Sequence, residues 1–136
     1  MTPTWDWTKG VPALDNGQLF WAAYGLSQVL AEQYPTQTAL IQSWTTFWQT
    51  MAANSVKIFY EGTGKIRSVS AIPDITKSVD ENVYTMPEGS NCTVFDNPCY
   101  LDDPYEGELF AVMMYLYSPL SPQDKESIWM AKRAKL

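Results

Sequence analysis

The chain has 136 residues, a net charge of −6 and 46% hydrophobic residues. That is one domain's worth, with enough apolar content to exclude a disordered tail, and no apolar run reaches the length of a membrane span, so no membrane partner is expected. Its acidity repels nucleic-acid phosphates, and the absence of histidine removes His-based nucleophile pairs and the commonest transition-metal ligand, so no nucleic acid, metal or cofactor is expected.

The N-terminus, from Met1 to Asp6, has neither a basic start nor a continuous apolar core. No signal peptide is visible there. Trp5-Asp6-Trp7 opens an irregular segment. Asp15 followed by Gln18 has capping-box spacing and predicts a helix start. Leu19, Ala22, Ala23, Leu26, Val29 and Leu30 then recur at helical steps. Tyr34-Pro35 ends that helix, because the residue before proline disfavours it.

Thr36 is the expected cap of a second helix, with Leu40, Ile41, Trp44, Phe47, Trp48 and Met51 as its stripe. A link this short makes the two helices antiparallel neighbours. The period then changes between Ser55 and Ala71. Val56, Ile58 and Tyr60 alternate, and Glu61-Gly62-Thr63-Gly64 reads as a turn. A short β-hairpin is predicted from Val56 to Val69.

From Pro73 to Tyr100 there is little periodicity. A connection this long is usually functional or disordered, and its aromatics favour order. It carries both cysteines, Cys92 and Cys99, spaced so that their loop could close as a disulfide. With no other Cys or His nearby, zinc is not expected. Asn91-Cys92-Thr93 fits the glycosylation pattern, which matters only in a secreted protein. Together the two features favour an extracellular setting.

The next stretch, Leu101-Asp102-Asp103-Pro104-Tyr105-Glu106-Gly107-Glu108-Leu109-Phe110, packs four carboxylates ahead of a dense apolar run. A helix apolar on nearly every side is expected to be buried. Its acidic start then lies where a carboxyl could be desolvated, raising its pKa towards that of a proton donor. The same residues also read as a helix start, with Asp103 as N-cap, Pro104 at the first helical position and Glu106 three residues after the cap. Spacing alone leaves both readings open. This helix is expected to end near Ser118-Pro119. Ser121 as cap and Pro122 at the first position begin the last one, whose exposed face and last turn take Lys125, Lys132, Arg133 and Lys135.

Six Trp and eight Tyr are many for this length. Most are expected in the core, but flat rings also stack on sugars.

Two of these stretches together resemble a known family. Asp15-Asn16-Gly17, followed by an aromatic, alanine-rich helix, is similar to the first inner helix of glycosidases with an (α/α)6 toroid. Asp102-Asp103-Pro104-Tyr105-Glu106-Gly107-Glu108-Leu109-Phe110 looks like the acid-bearing segment of the endo-β-1,2-glucanases of glycoside hydrolase family 162. Glu81-Asn82-Val83-Tyr84 and the Cys-bearing loop are also similar. The resemblance covers roughly Val11 to Leu120. It implies a mainly α fold of antiparallel helical hairpins forming part of the toroid, with a small β-hairpin and a long loop inserted. The toroid needs several times as many helices, so residues 1–136 read as part of a catalytic domain.

The resemblance further implies a secreted, anomer-inverting hydrolase acting on β-1,2-glucan, monomeric at full length. Inversion needs an acid at the leaving oxygen and a well-separated base acting on water. By motif the general acid falls on Glu106, with Glu108 as the alternative, and the base lies beyond Leu136. Asp15, Asn16, Trp21 and Tyr105 fall on the substrate side of the cleft. The fragment alone is expected to be inactive. The competing readings are a non-catalytic carbohydrate-binding role, or a structural helical domain whose acids are caps.

Overall fold

The computed structural model describes residues 10–87, 100–101 and 107–134. The first helix, α1 (Ala13–Gln33), buries Ala13, Gly17, Phe20, Ala23 and Ser27 along one face. It starts two residues ahead of Asp15, and no side chain caps it. The Asp15–Gln18 capping box is therefore not formed. Its place is taken by backbone: the Ala13 amide donates to Ser68 O at 2.8 Å. Asp15 sits instead in the first turn, where an acid suits the helix dipole.

The second helix, α2 (Thr38–Phe59), follows a tight turn closed by the Gln37 amide on Tyr34 O at 2.9 Å. Gln37, not Thr36, occupies the N-cap position. The helix also outruns the sequence expectation: Val56 and Ile58 are helical, not strand. They fit either period, and the deciding contacts are made by Ala52, Ser55 and Phe59, which are buried on one helical face.

The hairpin itself is present but shorter. Strand β2 (Tyr60–Gly62) pairs antiparallel with β3 (Lys65–Ile66). Its turn uses left-handed backbone at Gly62, Thr63 and Gly64. A second ladder joins β1 (Gly10–Pro12) to β4 (Val69–Ala71), in the register Val11 to Ser70. A 3-10 turn, Val79–Glu81, carries a capping box between Ser78 and Glu81.

The third helix, α3 (Glu108–Tyr117), begins four residues later than Pro104. Gly107 precedes it at φ 71°, a left-handed conformation through which no α-helix continues. Asp103 and Pro104 are thus not the start of α3. The last helix, α4 (Pro122–Arg133), begins as expected: Ser121 Oγ accepts the Asp124 amide at 3.1 Å, with Pro122 first.

α1 and α2 are antiparallel and share an aromatic seam, with the Phe20 and Trp48 rings edge to face at 5.8 Å. α3 lies parallel to α1, its first turn against Gly17 and its last residue, Tyr117, against Phe20 and Tyr24. Phe59 meets Phe110 at 4.8 Å, which closes the core between α2 and α3. Phe110, Ala111, Met113 and Met114 of α3 are buried. The expectation of burial all round is corrected here: Leu109, Val112 and Leu116 are 44–52% exposed, on the other side of α3. Apolar composition predicts that a helix needs cover, not that each side receives it within this chain.

Candidate active-site region

Because α1 and α3 run in parallel, their N-terminal ends lie side by side. Gly17 makes this possible. A Cβ there would stand 2.9 Å from both the amide nitrogen and Cβ of Phe110. The backbones therefore approach closer than any side chain allows. The first turn of α1 carries Asp15 and Asn16; the first turn of α3 carries Glu108. Both helix ends present positive dipole ends in the same direction, a setting suited to carboxylates and polar hydroxyls.

Asp15 is exposed. Asn16 is half-buried, and its amide donates to Pro12 O at 2.7 Å. It also lines a cleft of about 260 Å³ with Phe47, Asn54, Ser55 and Phe110. Glu108 is exposed and lines a different, larger groove of about 700 Å³ between α3 and α4, with Val112, Tyr115, Leu116 and Trp129. Asn16 and Glu108 thus come from neighbouring helix starts but open onto different clefts. Trp21 is a joint between helices. Its Nε1 donates to Leu109 O at 2.8 Å, and its ring packs edge-on against Phe20 and Tyr24. Glu106, Tyr105, Asn91, Cys92 and Cys99 lie outside the described residues. Among those described, no group of Cys, Asp or Glu side chains is gathered to hold a metal ion.

A polar cluster joins the hairpin to Tyr100. Glu61 accepts Arg67 Nε on Oε1 at 2.5 Å and the Tyr100 hydroxyl on Oε2. Arg67 is 8% exposed, and its Nη1 donates to Ile58 O at 2.8 Å. Partial burial pushes the Glu61 carboxyl up, but the bonds from Tyr100 and Arg67 and the arginine charge outweigh it and hold the carboxyl below its ordinary value. The bond to Glu61 pushes the Tyr100 phenol up to about 12, with burial adding to it. The Lys65 ammonium lies 5.5 Å from the centre of the Tyr100 ring. The opposite charges of Glu61 and Arg67 across the hairpin were a visible signal. Tyr100, distant in sequence, gave none.

The family profile described as "Endo-beta-1,2-glucanase SGL" matches residues 1–136. The chain belongs to that family. Among solved structures it resembles an endo-beta-1,2-glucanase from Talaromyces funiculosus in complex with sophorose. It equally resembles a mutant endo-beta-1,2-glucanase from the same organism with beta-1,2-glucan. Each superposes with a TM-score of 0.76 at 35% identity, over 99% of this chain and 26% of that chain. No curated protein matches the chain. It therefore spans about a quarter of the length of the solved endo-beta-1,2-glucanases. The helical hairpins described above form part of an α/α toroid.

Proposed function

We propose that this chain is a portion of an anomer-inverting endo-β-1,2-glucanase. It carries the general acid, Glu106, while the base lies in a part of the protein outside residues 1–136. The observation that carries this reading is the family match along the whole chain, joined to relatives solved with sophorose and beta-1,2-glucan. Asp15 and Asn16, at the α1 start, and Tyr105, beside Glu106, hold sugar hydroxyls; Trp21 supports them from the α1–α3 joint. Glu108 remains the alternative acid, two residues on. The parent is secreted, a reading supported by the Asn91 sequon and the Cys92–Cys99 spacing, and it acts as a monomer on the polysaccharide.

The test is substitution in the full-length protein. Glu106→Gln keeps size and polarity but cannot donate a carboxyl proton. General acid catalysis is worth about 10²–10⁴ in rate, and a loss of that order is expected on β-1,2-glucan. Glu108→Gln is the control. A collapse for Glu108→Gln with a normal rate for Glu106→Gln moves the acid by two residues. Normal rates for both refute an acid in this stretch. The chain alone, lacking the base, is expected to release no oligosaccharides from β-1,2-glucan; sustained turnover by a clean preparation would overturn the partial-domain reading.

A further inference from the structure

α3 and α4 are each held from behind, and the groove between them stays open. α3 meets the α1 backbone across Gly17, and its Tyr117 lies against Phe20 and Tyr24. The hairpin takes another flank of α4: the Tyr60 hydroxyl donates to Asp124 Oδ1 at 2.8 Å, and a Cβ on Gly64 would lie 2.2 Å from Ser127 O. Ile128 is buried at the floor of the groove. Val112, Tyr115 and Leu116 of α3 and Trp129 of α4 line it while 43–54% exposed. The groove, of about 700 Å³, is therefore preformed by contacts made elsewhere.

Its chemistry narrows what fits. A sugar needs several convergent polar groups, and here α3 and Trp129 offer rings and aliphatic side chains. The two carboxylates of the lining, Glu108 and Glu126, are matched by Lys132 and Arg133, so no strongly charged partner is selected. Val112, Tyr115 and Leu116 recur at three- and four-residue steps, the stripe that one helix presents to another. A contiguous apolar surface of this kind marks an interaction site. The solved relatives superpose on this chain with 26% of their own length, so most of a family member's chain lies outside the matched part. Resting on the reading of residues 1–136 as a portion of a longer glucanase, we propose that the α3–α4 groove seats an amphipathic α-helix from the remainder of the same protein. That helix lays its apolar stripe over Val112, Leu116 and Trp129. The groove is thus a surface through which this portion meets the rest of the catalytic domain.

Thiol labelling of the full-length protein tests the docking. Val112→Cys is close in size to the native residue and places a thiol in the groove; Leu116→Cys serves if it does not fold. Protection is the maleimide reaction rate in denaturant divided by the rate in the folded protein, resolved from Cys92 and Cys99 by peptide mass. About tenfold protection or more is expected, and less overturns the docking. A benzophenone maleimide on Arg133→Cys, at the end of the groove, then identifies the occupant. Crosslinks are expected to a peptide of the same chain outside residues 1–136, with apolar residues at helical spacing. Protection lost on dilution, with crosslinks between copies, would mean a second copy. Protection that appears only with added β-1,2-glucan would mean a saccharide. Either result overturns the proposal. An unprotected thiol in a full-length protein that hydrolyses β-1,2-glucan would sink the docking and leave the glucanase reading standing; a full-length protein without that activity would overturn the reading beneath it.

Discussion

Replacing Gly17 by alanine sets two effects of known size against each other. Inside a helix, alanine is favoured over glycine by about 0.8–1.0 kcal/mol. At Gly17 the added methyl meets Phe110 Cβ and N at 2.9 Å and Cα at 3.0 Å. Two of those three atoms are backbone of the first turns of α3 and cannot rotate away. The helices must part by several tenths of an ångström along their shared seam. Forcing one extra carbon into a packed contact costs about 1–3 kcal/mol, and an unyielding backbone neighbour places Gly17 in the upper half of that range. The net is a loss of about 1–2 kcal/mol, or roughly 3–8 °C in melting temperature for a chain of this size. Gly25, in the same helix, is the internal control, because nothing lies within 4 Å of its added Cβ. Gly25→Ala is expected to gain about 0.5–1 kcal/mol from helix propensity alone. Thermal unfolding followed by circular dichroism measures both. If Gly17→Ala melts at or above the wild type, the close α1–α3 approach does not govern that position. The account of why the two helix starts lie together then fails with it.

Three further outcomes follow from the same contacts. Ser121→Ala removes the acceptor for the Asp124 amide and is expected to cost about 1 kcal/mol, read by denaturant unfolding; an unchanged midpoint would mean that Pro122 alone starts α4. Melting temperature is expected to fall as pH rises from 10 to about 12, because Tyr100 is protonated in the fold well past its ordinary value of 10.0; Tyr100→Phe should flatten part of that slope, and an unaltered slope would refute the bond to Glu61. At the acid end, Glu61 is depressed below its ordinary 4.5, so its contribution is complete above that pH and lost as pH falls through the lower folded value. Glu61→Gln should make melting less sensitive to acid there, and an identical acid limb would count against the ion pair.

The parts of the fold legible in the sequence are those with local causes. The existence of α1 and α2, the Tyr34-Pro35 stop and the Ser121-Pro122 start are all decided within a few residues; the stripe expected to face the core is not, because Leu19, Leu26 and Val29 are 39–53% exposed and α1 buries Phe20, Ala23 and Ser27 instead. The misplaced boundaries have non-local causes. α1 begins at Ala13 because a carbonyl from Ser68 caps it. Val56 and Ile58 suit strand or helix by spacing, and burial of Ala52, Ser55 and Phe59 against the core decides for helix. The three-residue strands β1 and β4 are too short to carry a period of their own. The site region divides in the same way. The adjacency of the α1 and α3 starts turns on Gly17, whose small size signals a close approach but not its partner. The Glu61–Arg67–Tyr100 cluster joins residues from opposite sides of the long loop, which pattern reading cannot connect.

The start of α3 also bears on how the acidic stretch is to be tested. In sequence, Glu106 had two readings that a single substitution could confuse: a capping residue, whose loss costs stability, and a proton donor, whose loss costs rate. Capping of α3 required Asp103 as N-cap with Glu106 at the third helical position. Instead Gly107 stands at the N-cap position in left-handed backbone, and Glu108 is the first helical residue. Glu106 therefore precedes the cap of α3 and cannot supply its third-position carboxylate. The residue in this stretch that does stand in that helix's first turn is Glu108. The two effects thus separate by residue. Glu108→Gln is expected to forfeit a favourable interaction with the α3 dipole, about 0.3–1 kcal/mol at an exposed site. Glu106→Gln removes no carboxylate from the first turn of α3. A melting temperature lowered by Glu108→Gln alone, together with a rate lowered by Glu106→Gln alone, is the pattern expected if one acid serves the helix and the other the reaction. Both losses falling on Glu108→Gln would assign it both roles and leave Glu106 without one.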